Sequence, residues 1–182
     1  MLSTRFGFSV AALAALMFAT ALPAPAQQEN RQKRWKDNAE YNLANSAARD
    51  TDPANKLADL DQWSTAFPLS DYLDERLDMY LFTYEQLNEA RQAFDLAQEI
   101  LQNHPNNYRA LAATVSEVAA IRPSSAELDA AERAANYLLG NVETIFAEST
   151  RPSGMSAAEW ARAKDVIAPF VQQALQTIRG LR

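Results

Sequence analysis

The sequence predicts an all-α protein built from antiparallel helical hairpins. The chain has only four glycines in 182 residues, too few for the hairpin turns of an all-β fold, where residues with positive φ are needed. Apolar residues also recur at intervals of three and four, which places them on one face of a helix. Two such stripes are Leu73, Leu77, Tyr80, Leu81 and Tyr84, and Ala93, Phe94, Leu96, Ala97, Ile100 and Leu101. No helix can bury such a stripe by itself, so successive helices must pack on each other.

Residues 1–26 are expected to be a secretory signal peptide. Their only charge is Arg5, an apolar run follows at residues 6–22, and Ala24-Pro25-Ala26 suits a signal peptidase. The alternative is an uncleaved membrane anchor, but the run is near the short end of the roughly 20 residues that span a bilayer. We therefore expect a chain that is exported to the periplasm or the extracellular space and is not attached to a membrane.

The charge balance disfavours anionic partners. Without Arg5, 16 of the 17 basic residues remain against 23 acidic residues, a net charge of −7. Such a surface repels nucleic acid and anionic lipid. Four basic residues surround Trp35, namely Arg31, Lys33, Arg34 and Lys36. We interpret residues 27–37 as a solvated polar leader before the first helix.

Seven helical segments are expected, at residues 38–50, 53–67, 71–87, 89–103, 107–121, 125–147 and 157–181. Proline suits the first turn of a helix and resists helix before it, so prolines mark joints between segments. The joints are Asp52-Pro53, Phe67-Pro68, Leu87-Asn88, His104-Pro105, Arg122-Pro123 and residues 151–154.

Capping residues support these boundaries. Ser124 with Glu127 and Ser156 with Glu159 have the spacing of a capping box at the start of the last two segments. Single caps are expected at Asp52, Ser70, Asn88 and Asn106. Pro169 lies inside the last segment and is expected to kink or split it.

The third and fourth segments carry a pattern of large, small and aromatic residues that a closing proline ends. Its members are Leu77, Tyr80, Leu81, Tyr84, Ala93, Ala97 and Pro105, and Leu111, Thr114, Val115 and Val118 continue it one repeat later. The pattern resembles the tetratricopeptide repeat. The resemblance implies a short right-handed solenoid of stacked hairpins. Residues 52–63 and 158–164 also resemble exported bacterial tetratricopeptide proteins without an assigned activity.

The resemblance covers about residues 37–140 and has departures. Leu81 and Val115 stand where the family usually has a small residue, and Ala97 replaces an aromatic residue. We divide the chain into a signal peptide at 1–26, a leader at 27–37, tetratricopeptide-like hairpins at 38–149, and a loop with a C-terminal helix at 150–182. That last helix fits either the end of a short member or an incomplete repeat.

Residue types needed for common catalytic and cofactor chemistry are missing. Cysteine is absent and His104 is the only histidine, which excludes thiolate sites, multi-histidine metal sites and histidine-based triads with a cysteine nucleophile. So few glycines cannot form a phosphate-binding loop. We expect no catalysis and no cofactor, and we expect His104 to be a helix-dipole partner or a solvated side chain.

Four carboxylates share one end of the third segment, namely Asp71, Asp74, Glu75 and Asp78. Oxygen ligands of this kind suit calcium. A rigid helix rarely brings its side chains to one point, however, and the spacing of an EF-hand is absent. We therefore expect a solvated acidic face and no metal site.

The first helix of each hairpin lines the concave side of such a solenoid. In the tetratricopeptide register, that side carries Tyr41, Asn45, Arg49, Glu75, Asp78, Phe82, Glu85 and Arg109, with Ala112 and Ser116. Phe82 lies off its helix's apolar stripe, so it either anchors a peptide or partner helix or packs on a neighbouring hairpin.

Three functional hypotheses follow. The leading one is an exported scaffold that binds a protein or peptide and catalyses nothing. The alternative is a structural cap or a subunit of a larger envelope assembly, which docks or self-associates through its C-terminal helix. That helix has an apolar stripe for which little partner surface is expected, formed by Trp160, Ile167, Phe170, Val171, Ala174, Ile178 and Leu181. The third hypothesis is an unrecognised hydrolase or saccharide-binding protein.

Overall fold

The computed structural model describes residues 32–152 and 154–182. Within these residues every regular element is a helix, so the predicted all-α class is confirmed. The helices are α1 (Asn38–Arg49), α2 (Pro53–Ala66), α3 (Leu73–Gln86), α4 (Ala90–Asn103), α5 (Tyr108–Glu117), α6 (Ser125–Gly140), α7 (Val142–Ile145) and α8 (Ala157–Gly180). Short 3-10 helices occupy Val118–Ala120 and Glu148–Thr150. The predicted signal peptide and Arg31 lie outside the described residues.

Successive helices pack on each other along the chain. Contacts join α1 to α2, α2 to α3, α3 to α4, α4 to α5 and α5 to α6, and α6 packs on α8. Contacts also join α3 to α5 and α5 to α8. The first helices of later hairpins therefore lie side by side, as stacked hairpins require, and α8 takes the position of a fourth first helix.

Several predicted caps form as expected. The Asp52 carboxylate accepts hydrogen bonds from the N–H groups of Ala54 and Asn55, and Pro53 begins α2. Both capping boxes are complete, at Ser124 and Ser156. These bonds satisfy N–H groups that a helix start would otherwise leave free.

Three predicted caps do not start a helix as expected. The cap of α5 is Asn107, whose side chain accepts from the Ala110 N–H at 3.0 Å, and not Asn106. Asn88 has φ of 58° and closes α3 instead of starting α4. The cap position of α3 is Tyr72, and the Ser70 hydroxyl accepts from the Tyr72 N–H in the turn before the helix. Asn88 can close α3 because asparagine tolerates the left-handed region that a helix end often needs.

Two predicted helix ends are also wrong. The helix expected at 125–147 stops at Gly140, because the N–H of Asn141 bonds the Leu138 carbonyl and its side chain bonds the Tyr137 carbonyl. The α-helix expected at 107–121 ends at Glu117, and the 3-10 helix at Val118–Ala120 follows it directly. In contrast, α8 continues through Pro169 and is not split. Pro169 is exposed, so water can reach the carbonyl that lacks its N–H partner.

The apolar core runs the length of the array in three adjoining clusters. The first joins α1, α2 and α3, the second joins α3, α4 and α5, and the third extends from α4 to α8. The predicted lack of partner surface for α8 is wrong. Trp160, Ile167, Val171 and Ile178 are all buried in the third cluster. No helix within the described ranges has the length and apolarity needed to cross a bilayer.

Candidate functional site

A groove of about 570 Å³ lies beside Phe82, where α3, the start of α5 and the start of α8 meet. We call it the Phe82 groove. Its lining residues are Asp78, Met79, Phe82, Tyr108, Arg109, Pro152, Gly154, Met155 and Glu159. The contacts of α5 with both α3 and α8 hold its walls in place. The volume is within the range of small-molecule and peptide-anchor pockets.

Phe82 is an aromatic residue of the groove that solvent can reach. It is 40% exposed. The guanidinium carbon of Arg109 lies 5.0 Å from the ring centroid and Nζ of Lys56 lies 5.8 Å from it. Both distances are typical of cation–π contacts. The ring is thus partly exposed and has two cations close to it.

The position of Arg109 is set by α5 and α3 together. Its Nη1 lies 3.5 Å from Oε2 of Glu85 on α3. Asn107 links the same helices, because its side-chain N–H donates to Asp78 at 3.0 Å while its oxygen caps α5. The start of α5 is therefore tied to α3 by two polar contacts along one side of Phe82.

Two carboxylates of α3 are partly removed from water. Burial raises the pKa of Asp78, and the hydrogen bond from Asn107 and the charge of Arg109 oppose that rise. Burial likewise raises the pKa of Glu85 against the charge of Arg109. Each carboxylate thus loses hydration that its partners only partly replace.

The opposite wall begins at the N-terminus of α8. Glu159 closes the capping box with Ser156, and hydrogen bonds from the Ser156 hydroxyl and N–H lower the pKa of Glu159. Behind this wall, Tyr108 packs edge-on against Trp160, with ring centroids 4.9 Å apart. The aromatic contact fixes the start of α8 against α5.

The structure brings together four of the predicted binding residues. Asp78, Phe82 and Arg109 line the groove, and Glu85 pairs with Arg109. Tyr41 instead contacts Trp35 edge-on, with ring centroids 5.7 Å apart.

The other predicted residues lie elsewhere. Asn45 and Arg49 line a separate depression of about 510 Å³ at the end of α1. Glu75 forms an ion pair with Lys33 at 2.7 Å. Ser116 lines a third depression of about 260 Å³ between α5 and α8, next to Phe170. The predicted concave residues are thus distributed over more than one depression.

Sequence reasoning missed one wall of the groove. Met79 is next to the predicted residue Asp78, and Tyr108 is next to the predicted residue Arg109. A prediction that included the adjacent helix positions would have contained both. Pro152, Met155 and Glu159 carry no comparable signal, because they come from a loop and the first turn of α8.

The acidic cluster of α3 is paired, and is only in part the solvated face that was expected. Asp71 bonds Lys36 at 2.9 Å, and Nε2 of His104, at the end of α4, lies 3.0 Å from Asp74. Among residues 32–152 and 154–182, no group of three or more histidine, cysteine, aspartate or glutamate side chains could hold a metal ion.

Residues 33–36 are only in part the solvated leader that was expected. Their lysine and arginine side chains are exposed, but the segment is docked on α1 and α3. Trp35 stacks on Tyr72 with ring centroids 3.7 Å apart and an interplanar angle of 13°. The opposite charges of the leader and the acidic cluster explain why the two meet.

The chain was compared with protein-family models, curated proteins and solved structures, and no match was found.

Proposed function

We propose that the protein is an exported, tetratricopeptide-like scaffold that binds a protein or peptide partner in the Phe82 groove. The apolar run and the small residues of 1–26 support export. The stacked hairpins and the repeat pattern support the scaffold, since stacked hairpins present concave surfaces for extended ligands. The proposal includes no catalytic step.

The observation that carries the proposal is the exposed Phe82 ring between Lys56 and Arg109. Aromatic groups surrounded by polar ones are common anchors of peptide binding. The adjacent Asp78 is available to accept hydrogen bonds, and Met79 and Met155 provide adaptable apolar surface. This combination suits a peptide with an apolar side chain flanked by backbone or side-chain donors.

Selection of short peptides from a phage-displayed random library provides the test. Peptides selected on the intact protein are measured by isothermal titration calorimetry against the parent chain and against Phe82→Ala. We expect the substitution to weaken binding at least tenfold, because truncation of a central aromatic anchor costs about 2 kcal/mol or more.

Phe170→Ala is the matched control. Phe170 is also on a first helix of the array and is 39% exposed against 40% for Phe82, but it lies outside the groove. Binding should be unchanged in this variant. Equal losses in both variants, or a loss in Phe170→Ala alone, would contradict the proposal, as would a failure to select any peptide that binds the folded chain.

A second candidate is a subunit of a larger assembly that docks through α8. Val166 is 60% exposed and Phe170 is 39% exposed, and the two are one turn apart on this helix. Sedimentation velocity of the parent chain and of Val166→Ser with Phe170→Ser tests it. A dimer or larger species that dissociates in the double variant supports docking through α8, and a monomer in both excludes self-association by this face.

A further inference from the structure

The segment before α1 makes specific contacts with the start of α3. Lys33 bonds both carboxylate oxygens of Glu75 at 2.7 Å, and Lys36 bonds Asp71 at 2.9 Å. The N–H of Arg34 donates to the same Asp71 at 3.2 Å. We call residues 33–36 the strap. Its basic residues lie on both sides of an aromatic residue, and two of them pair with carboxylates four positions apart.

The aromatic residue of the strap enters a site made by three elements. Trp35 stacks on Tyr72 at 3.7 Å, meets Tyr41 of α1 edge-on at 5.7 Å, and lies 6.1 Å from Trp63 of α2, all measured between ring centroids. Tyr72 also donates its hydroxyl hydrogen bond to the Lys33 carbonyl at 3.4 Å. The site therefore contacts a tryptophan ring, donates a hydrogen bond to a backbone carbonyl and pairs with two lysines, one on either side of the tryptophan.

The ion pairs that hold the strap are individually weak. The side chains of its ion pairs remain 41% and 47% exposed for Lys33 and Glu75, and 47% and 28% exposed for Lys36 and Asp71. Exposed ion pairs of this kind contribute little and are screened by salt. The start of α1 does not depend on strap side chains, because Asp37 caps the helix and Glu40 accepts from the backbone N–H of Lys36.

We propose that this acidic and aromatic surface is a peptide-binding site for a short basic segment with a central tryptophan, and that the strap is its built-in occupant. The occupant is argued from the segment seated there and from its charge complementarity. A competing peptide must displace a covalently attached ligand, whose effective concentration is of the order of millimolar for a short linker. The strap thus makes the site autoinhibited.

The site is distinct from the Phe82 groove but shares a helix with it. Glu75 contacts the strap, and Asp78 and Phe82, three and seven positions later on α3, line the groove. These spacings place the residues on one face of the helix. Displacement of the strap would therefore uncover charge next to the groove, although the proposal does not depend on what the groove binds.

The test uses the full chain with Lys33→Ala, Trp35→Ala and Lys36→Ala together. The probe is a fluorescein-labelled synthetic peptide with the sequence of residues 32–37, QKRWKD, followed by fluorescence anisotropy. We expect the triple variant to bind the peptide at least tenfold more tightly than the parent chain. Binding to the variant should weaken with added salt, since two ion pairs form.

Matched controls separate recognition from unfolding. A peptide with alanine in place of tryptophan should not bind. Adding Asp71→Asn and Glu75→Gln to the triple variant should weaken binding by about tenfold, with far-UV circular dichroism unchanged. The single variant Trp35→Ala, which keeps more native contacts, should show intermediate affinity.

Three results overturn the proposal. The first is a triple variant and a Trp35→Ala variant that both keep their helical spectrum and bind no peptide. The second is peptide binding that is as tight to the parent chain as to the variant. The third is a parent chain that sediments as a dimer and becomes monomeric on these substitutions, which would make a second copy the occupant.

Discussion

The two ends of the helical array are held together by different interactions. The packing of α1, α2 and the start of α3 encloses charged groups, whereas no charged residue is buried in the described residues of α4 to α8. The buried charged residues in the described part of the chain are Glu40 and Arg76, and both belong to the N-terminal region. Buried polar groups are stable only when hydrogen-bonded, so this region depends on its bonds and charges.

Glu40 and Arg76 are held by partners on either side of Trp63. The Glu40 carboxylate accepts from Nε1 of Trp63 at 3.3 Å and from the N–H of Lys36 at 2.6 Å. Arg76 donates to the carbonyls of Trp63 and Phe67 at 3.3 and 2.9 Å, and its guanidinium carbon lies 5.3 Å from the Trp63 ring. Trp63 is therefore a structural link between two buried charges.

Trp160 has the corresponding position in the C-terminal region but a neutral environment. Its Nε1 donates to the Ala147 carbonyl at 3.2 Å, and its ring packs between Tyr108 and Phe146. Both tryptophans are at most 3% exposed. The contrast shows that the same residue type stabilises one end through a charged hydrogen bond and the other through packing.

The largest expected effect comes from replacing each tryptophan by phenylalanine. Both substitutions remove a similar volume and one N–H donor. Loss of a bond to a charged group costs about 1.5–3 kcal/mol and loss of a neutral one about 0.5–1.5 kcal/mol. Trp63→Phe should therefore lower the free energy of unfolding by roughly 1 kcal/mol more than Trp160→Phe, measured by urea denaturation. Equal losses would show that the two ends do not differ in this way.

A second effect is the pH dependence of the N-terminal region. Burial raises the pKa of Glu40, but hydrogen bonds from Lys36, Ser70 and Trp63 more than offset it, so the pKa lies below its ordinary value of 4.5. The stability from ionised Glu40 is thus present above about pH 4.5 and is lost as the pH falls through the depressed folded-state pKa.

Glu40→Gln measures this contribution. The glutamine amide cannot accept from both former donors, so we expect a loss of about 1–3 kcal/mol at pH 7 that shrinks at pH 3. Val171→Ala, in the apolar cluster, is the control, and its cost should be the same at both pH values. A cost of Glu40→Gln that does not vary with pH would disprove the assigned role.

The smallest effect is expected in the Phe82 groove and has the opposite sign. Because burial raises the pKa of Asp78, its stabilising contribution is greatest at low pH and is lost as the pH rises through the folded-state pKa. At pH 7 the poorly hydrated charge opposes folding. Asp78→Asn keeps an acceptor for Asn107 and should slightly raise the thermal midpoint, which calorimetry can detect.

Exposed Asp165, on α8, is the control for this substitution. Asp165→Asn should not raise the midpoint. A stability gain in Asp78→Asn combined with weaker peptide binding is the pattern of a functional site that trades stability for activity. A loss of stability would contradict the cost assigned to the buried carboxylate.

The positions of most helices could be predicted from the sequence, because periodicity, proline joints and capping boxes depend on residues that are close in the chain. The capping boxes at Ser124 and Ser156 are examples. The predicted cap Asn106 is one residue before the true cap, Asn107. Asn88 closes a helix where a helix start was expected, because asparagine is found at both ends of helices. The break at Asn141 depends on a hydrogen bond from the Asn141 side chain to the Tyr137 carbonyl. The spacing of apolar residues gives no sign of such a bond.

The site was harder to predict because its parts are far apart in sequence. Phe82 and Arg109 were expected on one surface because both lie on first helices of hairpins, and both line the groove. The groove wall formed by Met155 and Glu159 depends on where the loop before α8 runs. The strap was missed because attraction between the leader and the acidic cluster acts across a separation of about 40 residues, as in the pair Lys33–Glu75.

Methionine-methyl NMR gives the most direct test of the Phe82 groove. Of the four methionines in the chain, Met79 and Met155 line this groove from opposite walls, and Met→Leu variants assign their signals. Titration of the methyl-labelled chain with a library-selected peptide should shift both resonances, and Phe82→Ala should abolish the shifts. Saturating peptide that leaves both resonances in place would show that the ligand binds elsewhere.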